Sequence, residues 1–246
     1  MSETVDFPVY AVELRFQGAA AKMAFDHLTA AVDRRRELGE KLRAIRKAGG
    51  PVPLEAEQND YRAMAMEMLN LVPRILEAVQ SFLVAAGVIS MLLWPDPRPR
   101  GNVSAEVLVL RERRGEYFRK RLNVGDDSAL RKLRVKRTDA RGGLVHYDEM
   151  LEEFSGLTSS DDLVTFEVGS LARLPGAWAP AATVRWLDDE TLTLNVNGRE
   201  TQLRPLLDEI GRVVGQIQVS GKEGLVAGTS PTDLTSLAVG IGVERK

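Results

Sequence analysis

Cysteine is absent from this chain of 246 residues, and histidine occurs only twice. The absence of cysteine excludes disulfides, thiolate metal sites and cysteine nucleophiles, and it is compatible with a reducing cytoplasm. The two histidines, His27 and His146, lie far apart in the sequence, so we expect no zinc site. For His27 we expect a structural or surface role. Adjacent carboxylates such as Asp148 and Glu149 are typical of a solvated helix face, so we expect no other metal either.

The motifs of nucleotide-dependent and serine-hydrolase enzymes are also missing. The chain has no Gly-x-Gly-x-x-Gly, no P-loop and no Gly-x-Ser-x-Gly elbow, so we expect no nucleotide cofactor. The first ten residues, MSETVDFPVY, include acids and no basic region before an apolar run. We therefore expect no secretory signal and a cytoplasmic location.

Charge and hydrophobicity are ordinary for a globular protein. The formal net charge is −2, with 44% hydrophobic and 28% charged residues, so the chain as a whole is not strongly basic. The stretch Ser81–Trp94 is apolar almost throughout, but it is shorter than the ~20 residues of a typical membrane-spanning helix. We therefore expect a helix that is buried on all sides, and no membrane segment.

The first two thirds of the chain predict four helices. They cover about Val9–Lys47, Leu54–Trp94, Ser104–Leu122 and Ala129–Phe154. Glycine and proline separate the first three, Ser104 is a suitable N-cap, and Pro73 predicts a kink or a split in the second. In the first helix, one apolar face is predicted from Val12, Phe16, Ala19, Ala20, Met23, Leu28, Val32, Leu38, Leu42 and Ile45. The charged run Asp33–Glu37 is predicted to face solvent.

The remainder of the chain predicts a small α+β element. Leu163–Glu167 reads as a short strand, and alternation from Val184 to Val196 predicts two strands around a turn at 188–190. Asn197-Gly198 predicts a hairpin, with a return strand at Thr201–Leu203. An amphipathic helix should start near Pro205 and end near Gly221, followed by a loosely held tail or short strand.

These patterns predict a mainly α protein, with a four-helix-type bundle and a C-terminal hairpin and helix. The predicted divisions are a bundle at 1–158, an appended module at 159–222 and a tail at 223–246.

Positive charge is concentrated between Arg111 and Arg141. This segment has twelve basic and five acidic residues, a local balance of +7 in a chain of net −2. On a helix, Arg134, Arg137 and Arg141 share one face, because their spacing is i, i+3, i+7. The segment indicates either a polyanion partner or a solvated charged face.

The basic segment ends in Arg141-Gly-Gly-Leu-Val-His146, which is followed by Tyr147-Asp148-Glu149. Histidine suits proton transfer near neutral pH, and the arginine fork matches phosphate. Together, Arg141 and His146 can bind a phosphodiester and move a proton on it.

This stretch resembles the signature of the HEPN superfamily. These helical-bundle proteins carry an arginine, a few intervening residues and a histidine on the last core helix. The resemblance extends to the helix count and the position of the motif, over about residues 8–156. His146-Tyr147-Asp148-Glu149 also looks like the ending of several HEPN-like groups.

The resemblance implies a metal-independent endoribonuclease that uses the RNA's own 2′-hydroxyl as nucleophile. His146 would transfer the proton, and Arg141 would hold the scissile phosphate, with Arg134 and Arg137 as further phosphate contacts. Members usually form homodimers in which both motifs line one cleft. By analogy, the chain would be a bacterial toxin or defence effector with an antitoxin partner.

A second reading is a non-catalytic HEPN-like interaction or scaffold module that binds a protein or a nucleic acid. Gly142 stands where active members commonly carry a polar residue. On an unbroken helix, the five-residue separation also sets Arg141 and His146 about 140° apart. Both readings stay open on the sequence alone.

Overall fold

The computed structural model describes residues 7–48, 55–96, 103–133, 166–169, 185–196, 199–219 and 225–227. This part of the chain is mainly helical, with a small four-stranded sheet and a two-stranded one, as the sequence predicts. The helices are α1 (Phe7–Ala48), α2 (Glu55–Leu93), α3 (Ala105–Arg121), α4 (Ala129–Lys132) and α5 (Leu203–Gly215). The strands are β1 (Glu167–Val168), β2 (Arg185–Asp188), β3 (Thr193–Val196), β4 (Arg199–Gln202), β5 (Ile217–Val219) and β6 (Leu225–Ala227).

Helices α1 and α2 form an antiparallel pair. The rings of Phe25 and Phe82 lie 5.6 Å apart, whereas Arg34, later in α1, pairs with Glu67, earlier in α2. Burial of a large apolar side chain contributes about 1.5–3 kcal/mol, so their shared core is the main source of stability here. The fully buried side chains of this pair include Leu14, Leu28, Leu38, Ile75, Phe82, Leu83, Ile89 and Leu93.

Proline 73 does not split α2, which continues from Glu55 to Leu93. Pro73 and Leu69, four residues earlier, are both exposed. Water can therefore reach the Leu69 carbonyl that a proline leaves without an intrahelical donor. Of the two predicted outcomes, the split is therefore wrong, and the kink stays a prediction.

Helix α3 crosses the end of α2 at a glycine. The predicted N-cap is confirmed, since the Ser104 Oγ accepts from the backbone N–H of Val107 at 3.4 Å. A Cβ on Gly115 would lie 2.6 Å from the Leu93 carbonyl oxygen, so only glycine allows this approach.

Helix α4 is held by two polar anchors. The hydroxyl of Ser90, buried on α2, donates to the Leu130 carbonyl at 2.6 Å. The Ser128 hydroxyl donates to Glu209 Oε1 on α5 at 2.5 Å, and so it does not cap α4 with its side chain. The remainder of the fourth predicted helix lies outside the described residues.

The four-stranded sheet has the order β1-β2-β3-β4, with β1 parallel to β2 and the other pairs antiparallel. The β3–β4 hairpin has the register that Asn197-Gly198 predicts, although the turn itself lies outside the described part. The return strand is Arg199–Gln202 and not Thr201–Leu203 as predicted, because Leu203 already belongs to α5. Helix α5 packs on α1, where a Cβ on Gly18 would lie 2.7 Å from Val214 Cγ2. Buried residues of the sheet and α5 join those of α1 and α2 in one cluster.

Helix α5 ends at Gly215, not near Gly221 as predicted. Ile217 continues the apolar spacing of the helix but lies in β5, which pairs with β6. A buried apolar residue fits the helical period as well as the strand period, so the apolar spacing placed the predicted end of the helix too late. The predicted short strand in the tail is confirmed by β6.

The arginine run within Asp33–Glu37 is not purely solvent-facing. Arg36 donates to the Asp189 carbonyl at 2.5 Å, and Arg35 lies 3.4 Å from Glu167 Oε1. Two residues of the run thus attach α1 to the sheet.

Helix α2 is long and apolar enough to cross a membrane, by length and composition alone. Its qualifying segment, Gln58–Leu93, has a mean hydropathy of 1.9 over an 18-residue window, of which 56% is buried. Phe82, Leu83 and Ile89 lie in the core, but Val84 is 52% exposed. The expectation of a helix buried on all sides is therefore wrong, because one side of α2 is open.

Candidate interaction surface

Helix α1 has two apolar faces instead of the single predicted face. The inner face is buried and includes Leu14, Phe25 and Leu28. Phe16 and Met23, which were predicted on the same face, are 63% and 61% exposed. The helical period sets these two groups on different sides of α1, because each residue advances by about 100°.

Exposed apolar residues, together with the half-buried Ala20 and the exposed His27, form a continuous uncharged band, here called the outer stripe. At about 100° per residue, its members share an arc of about 80°. The stripe is defined as Val9, Val12, Phe16, Ala20, Met23, His27 and Ala30. Not one of these seven residues carries a formal charge at neutral pH with histidine neutral, whereas the next position on the arc is Arg34. A band of this length on a helix surface is unusual, since single exposed apolar residues are the normal case.

A groove of about 740 Å³ lies beside the outer stripe, between α1 and α2. Its lining includes five alanines, Ala20, Ala24, Ala30, Ala31 and Ala78, together with the larger apolar side chains of Met23 and Leu71. His27 lines it from α1, and Arg74, Glu77 and Ser81 line it from α2. His27 is exposed, which confirms the expected surface position.

Charged groups close one end of the groove. Arg34 makes a two-point contact with Glu67, at 2.7 Å from Nε to Oε1 and 3.0 Å from Nη2 to Oε2, and it also pairs with Glu37 at 2.9 Å. The hydrogen bond from Arg34 lowers the pKa of Glu67. The pKa of Glu37 is also lowered, mainly by its hydrogen bond with Lys41 and to a smaller extent by the one with Arg34. Hydrogen bonds to both carboxylates raise the pKa of Arg34. This end is therefore electrostatically satisfied within the protein.

Two charged side chains, Arg74 and Glu77, lie in the middle of the groove. Neither of them makes an ion pair with a described residue. Both project beside an uncharged apolar band, where a partner can pair with them. The arrangement suits binding of a helix: apolar contact along the centre and polar contact at the rim.

The described part of the basic segment is largely engaged within the protein. Arg119 donates to the Leu93 carbonyl at 2.5 Å and pairs with Glu112 at 3.2 Å. Lys120 pairs with Glu116 at 2.8 Å, and Arg131 pairs with Asp126. These contacts lower the pKa values of Glu116 and Asp126.

Arg114 is also engaged. It is buried, with its guanidinium carbon 4.6 Å from the centroid of the Tyr10 ring, so it joins α3 to the start of α1. Arg114 and Arg119 therefore join α3 to α1 and α2, whereas Arg113, Lys120 and Arg121 of the same segment are exposed.

Each site residue predicted from the sequence lies outside the described residues: Arg134, Arg137, Arg141 and His146. The interaction surface was not predicted, because apolar positions with a roughly helical period were assigned to one face without regard to their angle around the helix. A helical projection of residues 9–30 would have shown two apolar arcs, and a helix with two such arcs needs two partners.

Within the described ranges, no group of three or more histidine, aspartate and glutamate side chains is arranged to hold a metal ion. Comparison of the chain with protein-family models, with curated proteins and with solved structures finds no match. The likeness to the HEPN superfamily thus rests on residues 141–149 and on the helix pattern, and it stays a hypothesis.

Proposed function

We propose that this chain is a HEPN-like interaction module whose outer stripe and adjacent groove bind a partner helix. One observation carries the proposal: an uncharged apolar band on α1, whose Val9, Phe16 and Met23 are each more than 60% exposed. Contiguous exposed apolar surface of this kind marks interaction sites in soluble proteins.

The buried side of the same helix supports this interpretation. Stability is already provided by the inner face, where Leu14, Leu28 and Val32 are at most 1% exposed. The outer residues add little to that core, yet exposed apolar groups favour aggregation. A binding role explains why an apolar band lies opposite a complete core.

A photo-crosslinking experiment in cells tests this function. Benzoylphenylalanine replaces Met23 in one variant and Val109, on α3, in a control, since these side chains are 61% and 50% exposed. We expect an intermolecular adduct from position 23 and none of the same composition from position 109. Adducts that map only to residues 134–165 of the same chain would show an internal contact and would contradict the proposal.

A second candidate, a metal-independent endoribonuclease, is favoured by the spacing of Arg141 and His146. In this reading His146 transfers the proton, Arg141 binds the scissile phosphate, and Arg134 and Arg137 contact neighbouring phosphates. A toxin or defence role with an antitoxin would follow.

This candidate is tested by cleavage of a mixed RNA substrate in excess EDTA. We expect wild type to cleave and His146→Ala and Arg141→Ala to lose cleavage. Cleavage by both variants would show that other residues carry the activity. No cleavage by folded wild type would contradict the endoribonuclease candidate, and only the interaction function would then remain.

A further inference from the structure

Arg114 of α3 is a buried cation that lacks a counter-charge in the part of the chain that the structure describes. It is 8% exposed, and its Nε has no hydrogen-bond partner there. The acids of the neighbouring turn are engaged with other cations, since Glu112 pairs with Arg119 and Glu116 pairs with Lys120. A buried charge is costly unless it is paired, so this guanidinium needs an anion.

The guanidinium of Arg114 lies against the first turn of α1. Its carbon is 4.6 Å from the ring centroid of Tyr10, the fourth residue of that helix. Helix α1 is 42 residues long and has no acidic residue in its first turn. The start of a helix carries roughly half a positive charge on its free N–H groups. A buried cation at this end is repelled by the helix, which is a second reason to expect an anion.

Arg111 adds a third positive contribution. It precedes Arg114 by three residues, so the two side chains lie on the same face of α3. Arg111 is half-buried and makes no ion pair with a described residue. Pro8 in the first turn of α1 has no N–H, so the backbone N–H groups of Phe7 and Val9 are the free donors of that turn.

We propose that Arg111, Arg114 and the first turn of α1 form a binding site for a phosphate group, either free phosphate or a small phosphomonoester. Guanidinium forks and the N–H groups of a helix start are the donors that bind phosphate in proteins. A phosphomonoester carries about −1.5 to −2 charges near neutral pH and three acceptor oxygens, whereas a carboxylate has one charge and two oxygens. The phosphate group therefore matches the positive charge gathered here.

The phosphate site is separate from the outer stripe. At about 100° per residue, Tyr10 lies about 120° from Phe16 around α1. The proposal therefore goes beyond the interaction function and does not depend on it. A bound phosphate would contact both α1 and α3, and so it would stabilise the folded chain, because the unfolded chain has no such site.

Thermal unfolding in inorganic phosphate, at an ionic strength held constant with sodium chloride, tests the site. Wild type is compared with Arg114→Met and with Arg113→Met, which removes the same charge from the next, exposed position. We expect a saturable rise in Tm of about 3–6 °C at ten times the dissociation constant for wild type and Arg113→Met. Arg114→Met should lack the saturable rise.

A second measurement does not depend on the stability of a variant. In wild type labelled with ¹⁵N-arginine, the Nε–H resonance of Arg114 is the one that is absent from Arg114→Lys. Inorganic phosphate should shift this resonance with the same dissociation constant that the Tm gives. Arg114→Lys keeps the charge but not the two-point fork, so we expect it to bind phosphate at least tenfold more weakly.

Methyl phosphate identifies the source of the group. Equal shifts of the Arg114 resonance by phosphate and methyl phosphate would support a site for phosphomonoesters. A shift by phosphate alone would support a site for the free ion.

Two results would overturn the phosphate site. A rise in Tm that does not saturate and is equal in all three proteins, without a shift of the Arg114 resonance, would show an adventitious ion only, since phosphate stabilises many proteins at high concentration. Glu3 and Asp6, which lie outside the described residues, are the acids nearest to α1 in the sequence. A Glu3→Gln/Asp6→Asn variant that shifts the Arg114 resonance, in a chain whose wild type does not respond to phosphate, would show an internal counter-charge instead.

Discussion

The inner and outer faces of α1 contain similar side chains but differ in what surrounds them. Phe25 on the inner face is 3% exposed and meets Phe82, while Phe16 on the outer face is 63% exposed. Composition alone therefore does not say which apolar residues stabilise the fold. The angle around the helix does, since the inner face stabilises the chain and the outer face is free for a partner.

Truncation of a phenylalanine on each face should give the largest contrast. Phe25→Ala should lower the free energy of unfolding by about 3–5 kcal/mol, because the ring is buried and packs against Phe82. Phe16→Ala should change it by less than about 0.5 kcal/mol. Urea denaturation measures both. A comparable loss in Phe16→Ala would show that the outer face belongs to the core.

Replacement of two glycines of α1 by alanine should change the stability of the protein in opposite directions. Gly18→Ala forces a Cβ within 2.7 Å of Val214 and should cost about 1–3 kcal/mol. Gly39→Ala meets nothing closer than 3.9 Å and should stabilise by up to about 1 kcal/mol through helix propensity. Thermal unfolding of both variants provides the comparison. A stabilised Gly18→Ala would mean that α5 is not packed against α1 at this point.

Replacement of two serines of α2 by alanine should also show that a buried side chain matters more for stability than an exposed one. Ser90 is buried and bonded to the Leu130 carbonyl, so Ser90→Ala leaves that oxygen without its donor and should cost about 1–3 kcal/mol. Ser81 is exposed in the groove, and Ser81→Ala should be within about 0.5 kcal/mol of wild type. Equal effects in urea titrations would refute the assignment of Ser90 to the inner side.

The ion pair at the end of the groove should have the smallest effect. Arg34 lowers the pKa of Glu67, so the ionised carboxylate stabilises the fold above its ordinary pKa, and this contribution is lost as pH falls through the folded-state value. Both side chains are exposed, so the effect is small and sensitive to salt.

Glu67→Gln should therefore lower the Tm slightly at pH 7 in low salt, and the difference from wild type should shrink as the pH falls below the ordinary carboxyl range. Glu40→Gln, at an exposed position on α1, is the control. A Glu67→Gln effect that does not shrink with falling pH, or that is unaffected by salt, would argue against the ion pair as its cause.

Local signals in the sequence predicted much of the fold. Ser104 marked the start of α3, glycine and proline marked the end of α1, and Asn197-Gly198 set the register of β3 and β4. Each signal acts over a few residues, so tertiary contacts do not change it.

Features that depend on distant residues were not predicted. The attachment of Arg36 to Asp189 joins positions 153 residues apart, and no local pattern contains it. The exposure of one apolar face of α1 also depends on distant residues. The helical period shows which apolar residues share a face, but not which face another element covers. The predicted catalytic pair, Arg141 and His146, lies outside the described residues and stays a prediction.

Thiol reactivity tests most directly whether the outer stripe is an interface. Because the chain has no cysteine, Met23→Cys and Val109→Cys each carry a single thiol. We predict that Met23→Cys reacts with a maleimide at least tenfold more slowly in a cell lysate than as the purified protein, while Val109→Cys reacts at similar rates in both. An equal ratio of the two rates at both positions would contradict binding of a partner through this face.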